Sequence, residues 1–112
     1  MNIEREGYKL TYETGVIKIS GKLSIMLEEY EEIERFFDEI VESNPAALTL
    51  DLKELEYLNS SGIKTICVNL LLEADEIEDF RMKILCSKQY TWQKETIPTF
   101  EDLMNDMEIV FE

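Results

Sequence analysis

Residues Leu48–Asp75 read LTLDLKELEYLNSSGIKTICVNLLLEAD, and this stretch says most about how the chain folds. Its apolar start, Leu48–Leu52, predicts a buried β-strand, and the apolar residues that follow Gly62 recur at the spacing of an amphipathic helix. Between the two lies Asn59–Gly62, whose side-chain oxygens can accept hydrogen bonds from the unpaired N–H groups of a helix start. A strand that leads directly into a helix indicates an α/β sheet. We call Asn59–Gly62 the hinge and expect function to concentrate there.

The chain is long enough for one compact domain and too short for two. It has 112 residues, and domains usually contain about 100–150 residues. Hydrophobic residues make up 45% of the sequence and charged residues 32%, so the chain can bury a core. We therefore predict a single domain that spans residues 1–112.

The charge balance restricts the class of partner. The sequence has 25 acidic residues against 11 basic ones, a formal net charge of −14. Nucleic acids and anionic membranes would be repelled, whereas a protein with a basic face would be attracted. No apolar run is long enough to cross a bilayer, and the first ten residues, MNIEREGYKL, lack the features of a signal peptide. We expect a cytoplasmic protein that binds other proteins.

The sequence offers little for catalysis. It contains no histidine, which removes histidine-dependent triads, imidazole-bound zinc and the commonest general base. Acidic residues are abundant, but no nucleophile and base can be paired. Cys67 and Cys86 both lie among apolar residues and are predicted to be buried thiols rather than a disulfide or a metal pair. We expect no enzyme, no cofactor and no metal site.

The first third of the chain predicts a hairpin and a helix. Two β-rich runs, Tyr8–Tyr12 and Val16–Ser20, are separated by a turn signal at residues 13–15. Residues 21–24, Gly-Lys-Leu-Ser, are expected to end the strand, and a helix is expected to begin near Ile25–Glu28. From Leu27 to Val41 apolar residues recur at helical spacing. The opposite face is acidic, either as a solvated surface or as a docking surface for a basic partner.

The rest of the chain predicts alternating strands and helices. Asn44-Pro45 ends the first helix, Leu48–Leu52 suits a central strand covered on both faces, and Lys53–Leu58 is predicted to be a connecting segment. After the second helix we predict three further elements and a short turn: strand 81–87, helix 90–97 ended by Pro98, a turn over 99–103 and strand 107–111. This order implies a mixed sheet of about four or five strands flanked by about three or four helices.

Two features of the second helix bear on function. Gly62 stands near the helix start, where glycine costs about 1 kcal/mol relative to alanine, which suggests that something approaches the backbone closely. Val68 and Leu72 fall on a different face from the core residues, together with Lys64. They are either covered by a neighbouring helix or form part of an apolar surface for a partner.

The run Leu50–Ile63, LDLKELEYLNSSGI, resembles the signature of STAS domains. These are the bacterial anti-sigma factor antagonists, or anti-anti-sigma factors, of the SpoIIAA type. The family pattern has an apolar strand that ends in Asp, spaced apolar residues, then Asp-Ser-Ser/Thr-Gly and an apolar helix. Residues 21–24 are also similar to the Gly-x-Leu-Asp that follows the second strand of the family, and the predicted order of elements agrees over nearly the whole chain.

The resemblance implies a partner-switching module that has no catalysis of its own. In such modules a GHKL-type serine kinase, which can also be the anti-sigma factor, phosphorylates the serine after the acidic residue of the motif. That position is Ser60, with Ser61 as the alternative. A metal-dependent phosphatase of the PP2C type removes the phosphate, so ATP and metal belong to the partners. The expected partner-binding residues are Lys22, Leu23, Ser24, Asn59, Ser60, Ser61, Gly62, Lys64 and Val68.

Asn59 departs from the family pattern, because it replaces the aspartate of the motif. Either the chain is a paralogue that is not phosphorylated, or its kinase tolerates asparagine. Asparagine followed by a hydroxyl residue resembles the SiaC-type regulatory phosphoproteins, which bind a diguanylate cyclase, and the segment Trp92–Pro98 is similar to small STAS-like regulators outside the sigma-factor pathway. A different class of function also stays open: a constitutive scaffold in which Ser60 only caps the helix.

Overall fold

The computed structural model describes residues 1–26 and 28–112. Leu27, the first apolar residue in the pattern of the first helix, lies outside the described residues. Within them the strands are β1 Asn2–Arg5, β2 Tyr8–Glu13, β3 Val16–Leu23, β4 Ala47–Leu58, β5 Arg81–Cys86 and β6 Met107–Phe111. The helices are α1 Tyr30–Glu42, α2 Ser60–Thr65 with a π-helical continuation Ile66–Leu72, and α3 Thr91–Thr96 with a 3-10 continuation Ile97–Leu103.

The strands form one mixed sheet in which spatial order follows chain order, from β1 to β6. The pairs β1–β2 and β2–β3 are antiparallel, and the three later pairs are parallel. The predicted mixed α/β sheet is confirmed, but it has one strand more than the upper predicted number. The additional strand is β1, whose only buried residue is Ile3. Its pairing with β2, rather than any local pattern, makes it a strand.

Within the described residues, the helices cover one face of the sheet and leave the other uncovered. The register aligns Tyr12, Ile17, Leu50, Ile84 and Ile109 across successive strands, and such inward residues form the core. The residues between them point to the opposite face, which we call the open face. Lys18 and Lys83 are exposed there, and Asp51 is half-buried. The prediction that Leu48–Leu52 would be covered on both faces is therefore wrong.

The two central strands run further than the sequence predicts. Residues 21–24 do not end β3, because β3 pairs with β4 as far as Leu23 despite irregular register after Lys18 and Gly21. Gly21 has a φ of +87°, and a Cβ there would lie 2.1 Å from the carbonyl oxygen of Gly7. Lys53–Leu58 is likewise not a connecting segment but the second half of β4. Register irregularities allow Leu52, Leu55 and Leu58 all to be buried.

Helix α1 begins later than predicted. It starts at Tyr30 rather than near Ile25–Glu28, because Ile25 is buried and its backbone N–H and C=O both bond to the side chain of Asn59. The predicted end is confirmed: the helix stops at Glu42, and Asn44 has a φ of +55°, in the left-handed region that follows many helices. Apolar residues of α1 face the core, and its acidic residues lie outside.

Several local predictions are confirmed. The predicted hairpin, formed by β2 and β3, turns at Thr14 and Gly15, whose φ values of 51° and 77° suit a type I′ turn. Strand β6 has the predicted bounds, and both cysteines are free thiols, with Cys86 buried and Cys67 partly buried.

Among the helices of the described residues, none combines the length and the apolar character that a membrane span requires.

Candidate functional site

Asn59 holds the hinge to the end of β3. It is the N-cap of α2, with extended backbone angles of φ −80° and ψ 173°. Its side-chain Oδ1 accepts from the N–H of Gly62 at 2.8 Å and from the N–H of Ile25 at 3.3 Å. Its Nδ2 donates to the carbonyl of Ile25 and to the hydroxyl of Ser24, both at 3.3 Å. A backbone bond from its own N–H to Leu23 completes the connection.

This geometry gives a physical reason for asparagine at position 59. The side chain accepts two bonds and donates two, which an amide can do and an ionised carboxylate cannot. Aspartate could still cap Gly62, but it would bring a negative charge to the carbonyl oxygen of Ile25. Asparagine at this position therefore fixes the loop that follows β3 as well as the start of α2.

Ser60 and Ser61 are the first two residues of α2, and both are exposed. The cap uses the N–H of Gly62, and the N–H of Ile63 donates to the carbonyl of Asn59. The amides of Ser60 and Ser61 precede these bonds, so they have no partner within the helix. The carbonyl of Ser61 accepts from the hydroxyl of Thr65 at 2.8 Å. The two hydroxyls thus lie at the surface, at the start of a helix whose N-cap is Asn59.

Gly62 packs closely against the other residues of the hinge. Gly62 is buried, and a Cβ added to it would lie 2.3 Å from Cδ1 of Leu58 and 3.1 Å from Oδ1 of Asn59. The group that approaches this backbone is therefore the chain's own Leu58. Leu23, at the end of β3, is fully buried. Gly62 has no side chain and Leu23 is buried, so neither can present a side chain to a partner. The expected partner-binding surface is therefore smaller by these two residues.

Apart from Asn59, which is half-buried, the other expected partner-binding residues lie at the surface. Along α2 and its continuation the exposed positions recur every three or four residues, and we call them the α2 ridge: Ser60, Ser61, Lys64, Val68 and Leu72. Val68 and Leu72 are each 43% exposed, which excludes a covering helix among the described residues. Beside the hinge, Lys22 and Ser24 are exposed, and Met26 is 58% exposed. The ridge thus joins hydroxyls at one end to apolar side chains at the other.

Gln93 is a site residue that the sequence analysis missed. It is fully buried in α3, and its Nε2 donates to the carbonyls of Leu52 and Leu55 at 2.7 and 2.9 Å. Its Oε1 accepts from the N–H of Ser87 at 2.8 Å. The pairing of β4 with β5 ends at Asp51 and Leu85, so Gln93 replaces ladder bonds just beyond that point. It therefore stabilises the half of β4 that leads into the hinge.

The thiols do not supply a reactive group. Burial raises the pKa of the Cys67 thiol, and burial together with the nearby negative charge of Asp51 raises the pKa of Cys86 to about 12. Both thiols therefore stay protonated at neutral pH, whereas nucleophilic cysteines need a lowered pKa.

No protein-family model matches the sequence, and no curated protein matches it. Among solved structures, the chain is similar to the crystal structure of an anti-sigma factor antagonist from Mycobacterium paratuberculosis. The superposition has a TM-score of 0.58 at 17% sequence identity and covers 90% of this chain and 83% of that one. The chain therefore has the fold of an anti-sigma factor antagonist, which is the fold that its STAS-like motif predicts.

Proposed function

We propose that the chain, residues 1–112, is a single cytoplasmic STAS-like domain that acts as a non-catalytic partner-switching module. Reversible phosphorylation of Ser60 controls which protein it binds. The observation that carries the proposal is the position of Ser60: an exposed hydroxyl at the first residue of α2, at the end of a ridge that carries apolar Val68 and Leu72. The fold, similar to that of an anti-sigma factor antagonist, supports it.

The physical basis of the switch is the charge that a phosphate adds. Phosphorylation brings about −1.5 to −2 charges and three acceptor oxygens to the surface. An apolar or acidic partner surface that contacts the α2 ridge would then have to desolvate or face that charge, and the complex would dissociate. Ser61 is the alternative acceptor, because its hydroxyl is equally exposed one residue further along.

The partners follow from the same proposal. A GHKL-type serine kinase, which can itself be the anti-sigma factor, would modify Ser60, and a PP2C-type phosphatase would restore the free hydroxyl. The kinase must accept Asn59 in place of the usual aspartate. A diguanylate cyclase is the second candidate target, since asparagine before a hydroxyl residue resembles the SiaC-type regulators.

The acceptor is identified by incubation with ATP and a serine kinase encoded next to this chain's gene, followed by intact-protein and peptide mass spectrometry. We expect one phosphate on the wild type and on Ser61→Ala, and none on Ser60→Ala. Phosphate on Ser60→Ala but not on Ser61→Ala would move the acceptor to Ser61. An unmodified wild type, with a kinase that phosphorylates another substrate, would refute the switch.

The partner is first captured with the unmodified protein. Its affinity is then measured for the phosphorylated and for the unmodified form. We expect the phosphorylated form to bind at least about tenfold more weakly, because unfavourable charge placement at an interface costs several kcal/mol. The competing function is a constitutive scaffold, which the use of Asn59 as a purely structural cap favours. A scaffold would bind the partner equally well in both forms, and Ser60→Asp would leave its affinity unchanged.

A further inference from the structure

We propose that the apolar part of the α2 ridge and the acidic side of α1 next to it form one docking surface for an amphipathic helix of a partner protein, a helix that is basic along one edge. We call this surface the α1–α2 groove; its residues are Val68 and Leu72 with Glu34, Asp38, Glu42 and Glu73. The inference rests on the proposed function for the use of the α2 ridge as a binding surface, and it adds the chemistry of the partner.

Two contacts show that α1 and the second helix lie side by side and run in the same direction. The Nδ2 of Asn69 donates to Oε2 of Glu34 at 3.3 Å and to Oδ1 of Asp38 at 3.5 Å. One turn further along, Glu73 lines a shallow pocket of about 260 Å³ together with Asp38 and Glu42. Residue numbers therefore increase together along the two helices, and both C-terminal ends lie at the same end of the groove.

An apolar row lies next to this polar contact. Val68 and Leu72 directly precede Asn69 and Glu73 in the chain, and both pairs are four residues apart in or just after the π-helical segment. Because a π-helix bonds each residue to the fifth one along, residues four apart lie close together on successive turns. The two pairs thus form neighbouring rows, one apolar and exposed and one polar. A partner that covers Val68 and Leu72 also meets the acidic side chains of the groove.

The α1 side of the groove has an excess of negative charge. Glu34, Asp38 and Glu42 recur at intervals of four residues, a spacing at which like charges on a helix repel each other. The salt bridges among the described residues do not involve these acids or Glu73. The single base of α1, Arg35, lines a surface pocket with them and cannot balance them all. Charge complementarity therefore calls for cations on the partner.

The groove selects a helix because it is itself made of helix sides. The backbone groups within α1 and the second helix are paired internally, so recognition takes place through side chains. An extended segment would bring its own unpaired N–H and C=O groups onto Val68 and Leu72, which offer no hydrogen bond, whereas a helix satisfies its own backbone. Glu34 and Glu42 are about 12 Å apart along α1, so cations four residues apart over about three turns of a partner helix match the acidic row.

The charges also favour one direction of the partner helix. Lys64 precedes Val68 on the α2 ridge, whereas the C-terminal ends of both helices, which are negative by the helix dipole, lie near Glu42 and Glu73. The positive N-terminal end of the partner helix therefore belongs beside Glu42 and Glu73, and its negative C-terminal end beside Lys64. A phosphate on Ser60 would then lie near that negative end, which makes dissociation the expected response.

The probe is a synthetic peptide of about 18 residues, or five helical turns, with leucine along one face and lysine along one edge of that face. A second peptide carries glutamate at every lysine position. Calorimetric titration of the unmodified whole chain at about 0.1 M salt measures their affinities. We expect the lysine peptide to bind and the glutamate peptide not to bind. Glu42→Lys, Glu73→Lys and Leu72→Ser should each weaken binding at least about fivefold.

Matched controls lie on the open face, on the other side of the sheet. Glu13→Lys and Glu108→Lys change the net charge as much as the groove variants do, because both acids are exposed there. Val16→Ser removes an exposed apolar side chain from the same face. These three variants should change the affinity much less than the groove variants.

NMR gives an independent readout of the place and the direction of binding. The methyl signals of Val68 and Leu72 should shift most, and a spin label at the N-terminus of the peptide should broaden the amide signals of Glu42 and Glu73. Failure of the lysine peptide to bind, equal binding of the glutamate peptide, or equal weakening by the open-face variants would overturn the proposal. The titration uses the unmodified chain, so its result does not depend on whether Ser60 is phosphorylated.

Discussion

At the scale of single residues, Gln93 shows how one side chain can replace missing strand pairing. Three of its hydrogen bonds go to backbone groups of β4 and of the segment after β5. Those groups are left unpaired because β5 ends while β4 continues to Leu58. Buried backbone groups without hydrogen-bond partners lower stability. By pairing these groups, Gln93 allows the second half of β4 to extend beyond β5, and that half of the strand positions the hinge.

Replacing Gln93 by methionine, which has a similar shape, tests this role. The carbonyls of Leu52 and Leu55 and the N–H of Ser87 would lose their partner, and we expect a loss of about 3 kcal/mol in the free energy of unfolding. Urea denaturation followed by circular dichroism measures it. Gln89→Met is the control, because Gln89 is exposed and its change should have little effect. Equal stability of the two variants would contradict the role of Gln93.

The sequence predicts hinge residues to different degrees, for physical reasons. The cap at Asn59 and the exposed positions of Ser60 and Ser61 follow from local rules of helix starts. The roles of Gly62 and Gln93 do not, because they depend on which distant atoms reach them. Gly62 contacts the side chain of Leu58. Gln93 bonds to backbone groups that are left without a strand partner because β4 extends beyond its pairing with β5. No spacing within the sequence expresses either relation.

At the scale of elements, the charges of α1 suit the helix dipole at its N-terminal end but not at its C-terminal end. Its first turn contains Glu31 and Glu32, which suit the positive end of the helix dipole, but no base is present in its last turn. Glu42 instead stands at the negative end, and with Asp38 and Glu73 it lines one shallow pocket. The C-terminal end of α1 is therefore a place where the acidic composition costs stability.

A pair of charge reversals in α1 measures this cost. Glu42→Lys should raise the free energy of unfolding by about 0.5 kcal/mol, and Glu31→Lys should lower it by about the same amount. Both variants change the net charge equally, so each is the control for the other. Thermal denaturation at low salt measures the two changes. If both variants shift the melting temperature in the same direction, net charge rather than the helix ends determines the effect.

The bounds of the elements show where local patterns suffice. The turn at Thr14-Gly15, the end of α1 at Asn44-Pro45 and the whole of β6 were predictable, because glycine, proline and alternating apolar residues act locally. The start of α1 was not, because the side chain of Asn59, more than thirty residues away, binds Ile25. The π-helical segment Ile66–Leu72 also has no counterpart in the helical spacing that predicts α2.

At the scale of the whole molecule, Tyr8 connects the antiparallel hairpin to the helical layer. Its hydroxyl donates to the carboxylate of Glu29, the residue that precedes α1. Burial and this bond raise the pKa of Tyr8 above its usual value of 10.0. The phenol of the folded chain therefore keeps its proton at a pH where the phenol of the unfolded chain has lost it.

This raised pKa predicts a loss of stability in alkali. The contribution of Tyr8 is fully present below about pH 10, the pKa of an unfolded tyrosine, and decreases as the pH rises above it. Cys86, whose pKa is also raised, adds to the same trend. In Tyr8→Phe, urea midpoints between about pH 8 and 11 should fall less steeply than in the wild type. Tyr12→Phe, which removes another phenol from the same strand, serves as the control. A Tyr8→Phe slope equal to that of the wild type would contradict the prediction.

The order of the strands has a consequence for how the molecule is made. Because each strand pairs with its neighbour in sequence, no strand has to insert between two that are already joined. A chain that emerges from the ribosome can therefore build the sheet by adding each new strand to the last free edge, beginning with the β1–β2 hairpin. The free edges of β2, β3, β4 and β5 are thus each open for a time and are then closed by the next strand. In the sheet of the described residues, β1 and β6 are the two edge strands.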